Sequence, residues 1–249
     1  MKQNTEMMKT TYLRIVALLL VSASVLLTGC AAKFQRQAFN NEAATHVKKI
    51  TITQWDDQEE YRAVVVNHPG MSFGLIGAAI AAADTATKTK KLNDAIKPET
   101  VKLASAFYEK ALPGLKQLGY ETISVPIKRQ LGEKADVIKD RVASSRGQDA
   151  SLMLNISASY LAAGASTFYL PSVVLDAELV DNKSKAVIYR EAYHYGYNNG
   201  QTEVVHIDAA ADCKFQDIVE LTANIDKTRR CLLDSVEVLV GQFLSDLKK

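Results

Sequence analysis

Residues 171–190 read PSVVLDAELVDNKSKAVIYR, and this run decides the fold. Val173, Leu175, Ala177 and Leu179 share one face of an extended chain, while Asp176 and Glu178 lie on the other. That two-residue period is the mark of a β-strand with one buried side. Asp181 to Lys185 is a polar turn, and Ala186 to Tyr195 returns as a second strand. The reading is a β-hairpin from Ser172 to Tyr195.

Outward from the hairpin, the pattern alternates between strand and helix. Upstream, Ser151 to Tyr160 (SLMLNISASY) reads as a buried strand, Glu133 to Arg146 as a short helix and Glu121 to Ile127 as a strand. Val101, Ala104, Phe107, Tyr108, Ala111, Leu112, Leu115 and Leu118 recur at helical spacing, with Pro98 at the start and Gly119 past the end. Pro113 inside that helix is expected to kink or break it. Further upstream, Ile50 to Trp55 and Tyr61 to Asn67 read as strands, separated by an acidic turn, Asp56 to Glu60. Downstream, Leu232, Leu233, Val236, Leu239, Val240, Phe243, Leu244 and Leu247 form one apolar helical stripe. The expected fold class is α/β, a single mixed-sheet sandwich with helices packed on the sheet and a C-terminal amphipathic helix.

The N-terminus has three parts. Lys2, Lys9 and Arg14 form a basic region, Ile15 to Leu27 an apolar core of 13 residues, and Thr28-Gly29-Cys30 follows. Thirteen residues fall short of the roughly 20 that a spanning helix needs, and they suit a signal peptide. Leu27-Thr28-Gly29-Cys30 resembles a bacterial lipobox. The resemblance implies cleavage before Cys30 and acylation of that cysteine, and Ala31 after it implies delivery to the outer membrane. The other reading is a plain secretory signal with an incidental cysteine. Three acyl chains hold a protein durably where a single one holds it marginally. The expected organisation is 1–29 lipoprotein signal peptide, 30–45 lipidated tether and 46–249 periplasmic α/β domain. The domain is expected to hang from the outer membrane through the acyl chains on Cys30, on its periplasmic face.

Charge and cysteines fit that compartment. The formal net charge of +2 is matched by the surplus of two in residues 1–29, where three bases face Glu6 alone. The near-neutral remainder lacks the basic face that nucleic acid requires. The chain has three cysteines. With Cys30 acylated, Cys213 and Cys231 remain to form a disulfide in an oxidising compartment; two unrelated thiols are the alternative.

The run from Pro98 to Leu247 resembles the periplasmic lipoprotein domain shared by the curli-secretion protein CsgG, the TolB N-terminal domain and the LpoB activator of peptidoglycan synthases. The residues that carry the resemblance are the lipobox, SLMLNISASY and the hairpin at 171–190. It implies envelope assembly and partner binding. CsgG's long amphipathic pore strands have no counterpart here, because an Ala/Gly-rich stretch occupies the matching region.

That stretch, Phe73 to Ala83 (FGLIGAAIAAA), reads as a helix followed by a soluble tail, DTATKTKK. Gly74 with Ala78, and Gly77 with Ala81, set small residues four apart, which permits close helix–helix approach. Packing on its own domain, self-association and membrane contact are three readings of it. Tyr189, Glu191, Tyr193, Tyr195 and Tyr197 share one face of the returning strand. They form either a partner-binding surface or a core beneath the C-terminal helix; Glu191, and the plain inner face of the neighbouring strand, tilt the reading toward binding.

No catalytic motif occurs. The histidines 46, 68, 194 and 206 are scattered, and there is no His-Glu-x-x-His, Gly-x-Ser-x-Gly or Walker loop. His206 with Asp208 gives two ligand types at a spacing that chance supplies often, and a solvated loop is the simpler reading. The acidic turn at 56–60 lacks the glycine-centred loop of an EF-hand. The expected function is that of a non-catalytic binding or assembly protein without cofactor or metal, its partners the membrane and an envelope protein. The first alternative is an oligomeric secretion subunit, in a ring or beside a channel; the second, less favoured, is an enzyme or metal site around His206 and Asp208.

Overall fold

The computed structural model describes residues 34–128 and 147–248. From Arg36 onward the described residues belong to one compact unit. Its strands are β1 (Lys49–Trp55), β2 (Arg62–Asn67), β3 (Glu121–Ile127), β4 (Ala150–Gly164), β5 (Tyr169–Asp181), β6 (Val187–Gly196) and β7 (Val205–Ile207). Its helices are α1 (Gly74–Ile96), α2 (Leu103–Gln117), α3 (Ile218–Ala223) and α4 (Ile225–Asp246). The helix expected at 133–146 lies outside the described residues.

The α/β class is as the sequence indicates: a seven-stranded mixed sheet in the order β3-β1-β4-β5-β6-β7, with β2 also paired to β4. The hairpin forms the antiparallel ladder β5–β6, with Val173 opposite Tyr195 and Leu179 opposite Tyr189. β4 to β5 is antiparallel as well, whereas β1–β3, β1–β4, β2–β4 and β6–β7 are parallel. Helices α2 and α4 cover one face, where Phe107 meets Phe243 at 6.2 Å between ring centres.

The acidic segment at 56–60 does not fold β2 back against β1. The two strands run in line along the same edge of β4, β1 beside Ala150–Leu152 and β2 beside Ser159–Gly164. Gln58 fills the gap between them. Its side-chain amide donates to the Ala158 carbonyl at 3.2 Å and accepts the Ala158 N–H at 2.5 Å, as a neighbouring strand would. Asp57 reaches the other layer. Its carboxylate accepts the N–H groups of Ala104 and Ser105, at 2.8 and 3.1 Å, and the Ser105 hydroxyl at 2.7 Å. Lys102, at the N-cap of α2, supplies no capping side chain, so Asp57 caps the helix from another element.

Several boundaries differ from expectation. The tail DTATKTKK is helical, because α1 continues to Ile96 and buries Thr89, Leu92 and Ile96. Pro98–Thr100 forms a separate 3-10 turn before α2. Pro113 does not break α2: the carbonyl that its missing N–H leaves free is that of Glu109, on an exposed turn. Part of the segment read as a tether is fastened to the body. Gln37 bridges to Arg190, Asn40 donates to the Ile188 carbonyl at 3.0 Å, and Ala44 and Val47 are buried.

Two turn carboxylates tie strand ends. Asp149 accepts the N–H groups of Lys49 and Lys48 at 2.8 Å each, which holds its carboxyl below the usual range. At Asp181 burial pushes the pKa up, but the N–H groups of Ser184 and Lys183, with His46 at 2.7 Å, outweigh it and the net shift is downward. A lowered carboxylate contributes stability that is present above its unfolded value of about 3.9 and is lost as pH falls through the lowered one. Asp149→Asn is therefore expected to cost about 1 kcal/mol at pH 7. In denaturant titrations the deficit should shrink as pH falls below the unfolded value of about 3.9 and through the lowered one; a deficit constant from about pH 7 to about pH 2 overturns the assignment. Removal of the remote cap, Asp57→Ala, should cost about 1–2 kcal/mol at pH 7, with Asp57→Asn intermediate. Equal denaturation midpoints for Asp57→Ala and wild type would show that α2 needs no cap from this loop.

Candidate functional site

β2 pairs with β4 along one edge, and α1 runs beside the other. Near the end of α1, Asn93 acts as a surrogate strand. Its amide accepts the Tyr61 N–H at 2.8 Å and donates to the Tyr61 carbonyl at 3.0 Å. One turn earlier, the Thr89 hydroxyl accepts the Ala63 N–H at 3.2 Å. Towards the start of α1 this capping stops: Ala86, Ala82, Ala81 and Ala78 have side chains that neither donate nor accept, and Thr85, also in the lining, makes no hydrogen bond to β2 among the described residues. Here helix and strand enclose a cleft of about 950 Å³ whose lining includes Val64, Val66, Met71, Ala78 and Ala82. Glu59, Arg62, Lys90 and Asp94, also in the lining, carry mixed charge.

The start of α1 is held by a short polar chain. His68 Nδ1 accepts the Gly70 N–H at 3.0 Å, and its Nε2 lies 3.4 Å from Asp84. Lys88 meets Asp84 at 2.6 Å. Burial disfavours the charge of Lys88, but the hydrogen bond to Asp84 and the neighbouring Tyr169 hold its pKa above the ordinary value.

The four small residues of the expected self-association face divide. Gly77 and Ala81 are buried, Ala78 is half-buried and Gly74 is exposed. Gly77 packs so closely on the 3-10 turn Pro69–Phe73 that a Cβ there would lie 1.8 Å from the Gly70 carbonyl oxygen. Gly74 starts the helix with φ of 62°, a conformation that glycine adopts without penalty. The close approach that small residues permit is thus used within the chain. The outward side carries large residues instead: Met71, Phe73, Leu75, Ile76 and Ile80 are 61, 75, 91, 78 and 58% exposed.

The tyrosine row lies in the core. Tyr189, Tyr193 and Tyr195 are 0–3% exposed, and Glu191, between them, is 2% exposed. The reason is α4, which lies over this face: Tyr193 donates to Asp246 of α4 at 2.6 Å and pairs with the Tyr189 hydroxyl. Burial pushes both phenols well above their ordinary pKa. Glu191 is tolerated there because Arg36 reaches it at 2.6 Å. Tyr197, beyond the strand, is half-buried, with its N–H on the Pro171 carbonyl. As folded, Tyr189, Glu191, Tyr193 and Tyr195 leave no free surface for a partner, and the reading of these four as a docking face is corrected to core.

His206 and Asp208 meet at 3.1 Å, yet the Asp208 side chain is 96% exposed. Among the described residues, no group of three or more His, Cys, Asp or Glu is placed to hold a metal ion, and no helix is long and apolar enough to cross a membrane. Cys30 lies outside the described residues. The sequence reading missed the β2 edge; its one signal was the uncharged run from Pro69 to Ala83.

Cys213 and Cys231 form a disulfide that joins the segment before α3 to α4. It staples the segment carrying Phe215, whose backbone exchanges hydrogen bonds of 2.7 and 3.1 Å with Tyr169 at the start of β5. A bridge across 18 residues stabilises by about 3 kcal/mol in the chain-entropy picture. Cys213→Ser should therefore melt below wild type under oxidising conditions, and reductant should close the gap. Equal melting of the two under oxidising conditions overturns a stabilising bridge.

Comparisons with known proteins bring out distant shapes. No family model matches the chain, and no curated protein matches it either. Among solved structures, a Helicobacter pylori protein assigned as a homologue of the neuraminyllactose-binding hemagglutinin aligns over 87% of this chain and 91% of its own, at 10% identity and a TM-score of 0.31. A Xanthomonas campestris protein of the DUF330 family aligns over 86% and 89%, at 10% identity and 0.32. The PelC dodecamer subunit from Paraburkholderia phytofirmans aligns over 64% and 74%, at 12% identity and 0.25. Likenesses at these scores carry no argument about what the chain does.

Proposed function

We propose that this chain is a lipid-anchored, non-catalytic binding protein of the bacterial cell envelope. Acyl chains on Cys30 hold it at the outer membrane, and an extended segment of a partner protein docks in the cleft between α1 and β2. The observation that carries the reading is the half-capped edge of β2. Asn93 and Thr89 satisfy it at Tyr61 and Ala63, whereas Thr85 and the alanines Ala78, Ala81, Ala82 and Ala86, which line the cleft further on, make no hydrogen bond to β2 among the described residues. An added strand gains backbone hydrogen bonds along such an edge and side-chain contacts with its apolar walls. Three acids, Glu59, Glu60 and Asp94, against two bases, Arg62 and Lys90, leave the lining close to charge balance, which also favours recognition through the backbone. The lipobox and the resemblance to the CsgG, TolB and LpoB domain support the envelope assignment.

A photo-crosslinking amino acid at Val66 in living cells, with adducts identified by mass spectrometry, tests the cleft. Val66 is 45% exposed, so the substitution is expected to leave the fold intact. An adduct with another envelope protein is the expected result. A ladder of self-multiples would favour the oligomeric secretion subunit instead, and no adduct at Val66 would remove the cleft as a docking site. In parallel, Cys30→Ala should release the protein from the membrane fraction; retention there overturns the anchor.

A further inference from the structure

The outward side of the α1 start has no role in the core or the disulfide segment, and of its large residues only Met71 also lines the cleft. Phe73, Leu75, Ile76 and Ile80 lie together at the beginning of the helix, with Met71 just before it. No charged residue occurs from Pro69 to Ala83. Each of these side chains exposes on the order of 100 Å², so the patch is at the upper end of, or beyond, the roughly 300–600 Å² of the largest patch on a typical monomer. A second helix would pack most closely on Gly77 and Ala81, but those residues face inward. What remains outside is long, apolar and aromatic, a composition suited to the boundary between headgroups and acyl chains.

We propose that this tip inserts into the interfacial layer of a lipid bilayer, the same bilayer that holds the acyl chains of Cys30. The proposal rests on the lipid-anchor reading given above. The length of chain before the body makes the bilayer the first apolar phase within reach. Six residues lead from Cys30 to Arg36, a reach of at most about 20 Å, and Arg36 is pinned to the body by Glu191. Glu191 stands opposite Ala177 in β5, and Ala177 opposite Leu154 in β4. Gly164, beside Asn67 at the tip end of the sheet, lies ten residues further along β4, about 33 Å away. The offset exceeds the tether's reach of about 20 Å, so Arg36 and the tip meet one bilayer together when β4 lies closer to the membrane plane than to its normal.

The test uses the full lipidated protein with Leu75→Cys, reconstituted into vesicles of phosphatidylethanolamine and phosphatidylglycerol at a ratio of about three to one. With Cys30 acylated and Cys213 bridged to Cys231, the new thiol is the one that takes an environment-sensitive fluorophore. Glu99→Cys, at the opposite end of α1, is the control. Doxyl-labelled lipid is expected to quench the probe at position 75 at least twofold and to leave the probe at position 99 unchanged. Flotation with the vesicles reads the anchor separately. Protein that floats with an unquenched probe at position 75 overturns the tip insertion and leaves the anchor standing. Concentration-dependent Leu75→Cys crosslinks without lipid quenching place a second copy on the patch and also overturn it. Failure to float overturns the anchor, and this proposal with it.

Discussion

The structure depends on how the long strand β4 is served along its parallel edge. β4 has 15 residues, and neither neighbour on that edge matches its length: β1 ends before the middle, and β2 begins after it. An unfilled gap would leave the backbone of Ala158 without partners in a position that is 5% exposed. A buried backbone group without a partner costs about 1–3 kcal/mol. Gln58 closes the gap with one donor and one acceptor, the same pair a strand residue would supply. The preceding residue, Asp57, caps α2 from the same loop. One short acidic segment thus fixes the sheet and sets the start of the helix layer above it.

That helix layer explains the aromatic character of the core. Tyr61, Tyr108, Tyr160 and Tyr193 are fully buried, and each phenol finds an oxygen within the protein. Tyr61 donates to the Val101 carbonyl, Tyr108 to Leu154, Tyr160 to Thr228 and Tyr193 to the Asp246 carboxylate. A buried tyrosine adds large apolar area provided its hydroxyl is satisfied. These bonds link strands to 3-10 turn and helix, and so help to fix which face of the sheet α4 covers. Glu191 fits the same logic from the opposite side. Its charge is buried among the rings, and Arg36, half-exposed, brings the compensating charge in from the edge.

The hairpin and its neighbours were legible because a two-residue period is a local property, and so was the apolar stripe of α4. What the sequence hid was non-local. Period two puts Tyr189, Glu191, Tyr193 and Tyr195 on one face but does not say which face meets α4; that follows from contacts such as Tyr193 to Asp246, far apart in sequence. The same holds for Asp57 and Gln58, whose partners lie about 50 and 100 positions away. Charge made them look like a solvated turn. The tail of α1 was misread because its buried face is sparse: between Asp84 and Ile96 only Thr89, Leu92 and Ile96 are buried, too few to show against five lysines and aspartates. The small residues at 74–81 were recognised as permitting close approach, but sequence does not distinguish approach by another chain from approach by the preceding turn.

The α1 tip divides its composition by side, and that division has an energetic meaning. Fully burying a leucine, isoleucine or phenylalanine is worth about 1.5–3 kcal/mol, and folding collects little of this from Phe73, Leu75 and Ile76. With the proposed acyl chains on Cys30 supplying the attachment, a few apolar side chains in the same bilayer would add little to it. Their effect is on orientation. A tether alone leaves the body free to turn, whereas a second contact at the tip selects one side to face the membrane. Met71 is exposed at the tip and also lines the cleft. With the tip in the bilayer as proposed, the cleft beside β2 would open close to the membrane surface, within reach of the proposed partner if that partner is itself membrane-associated.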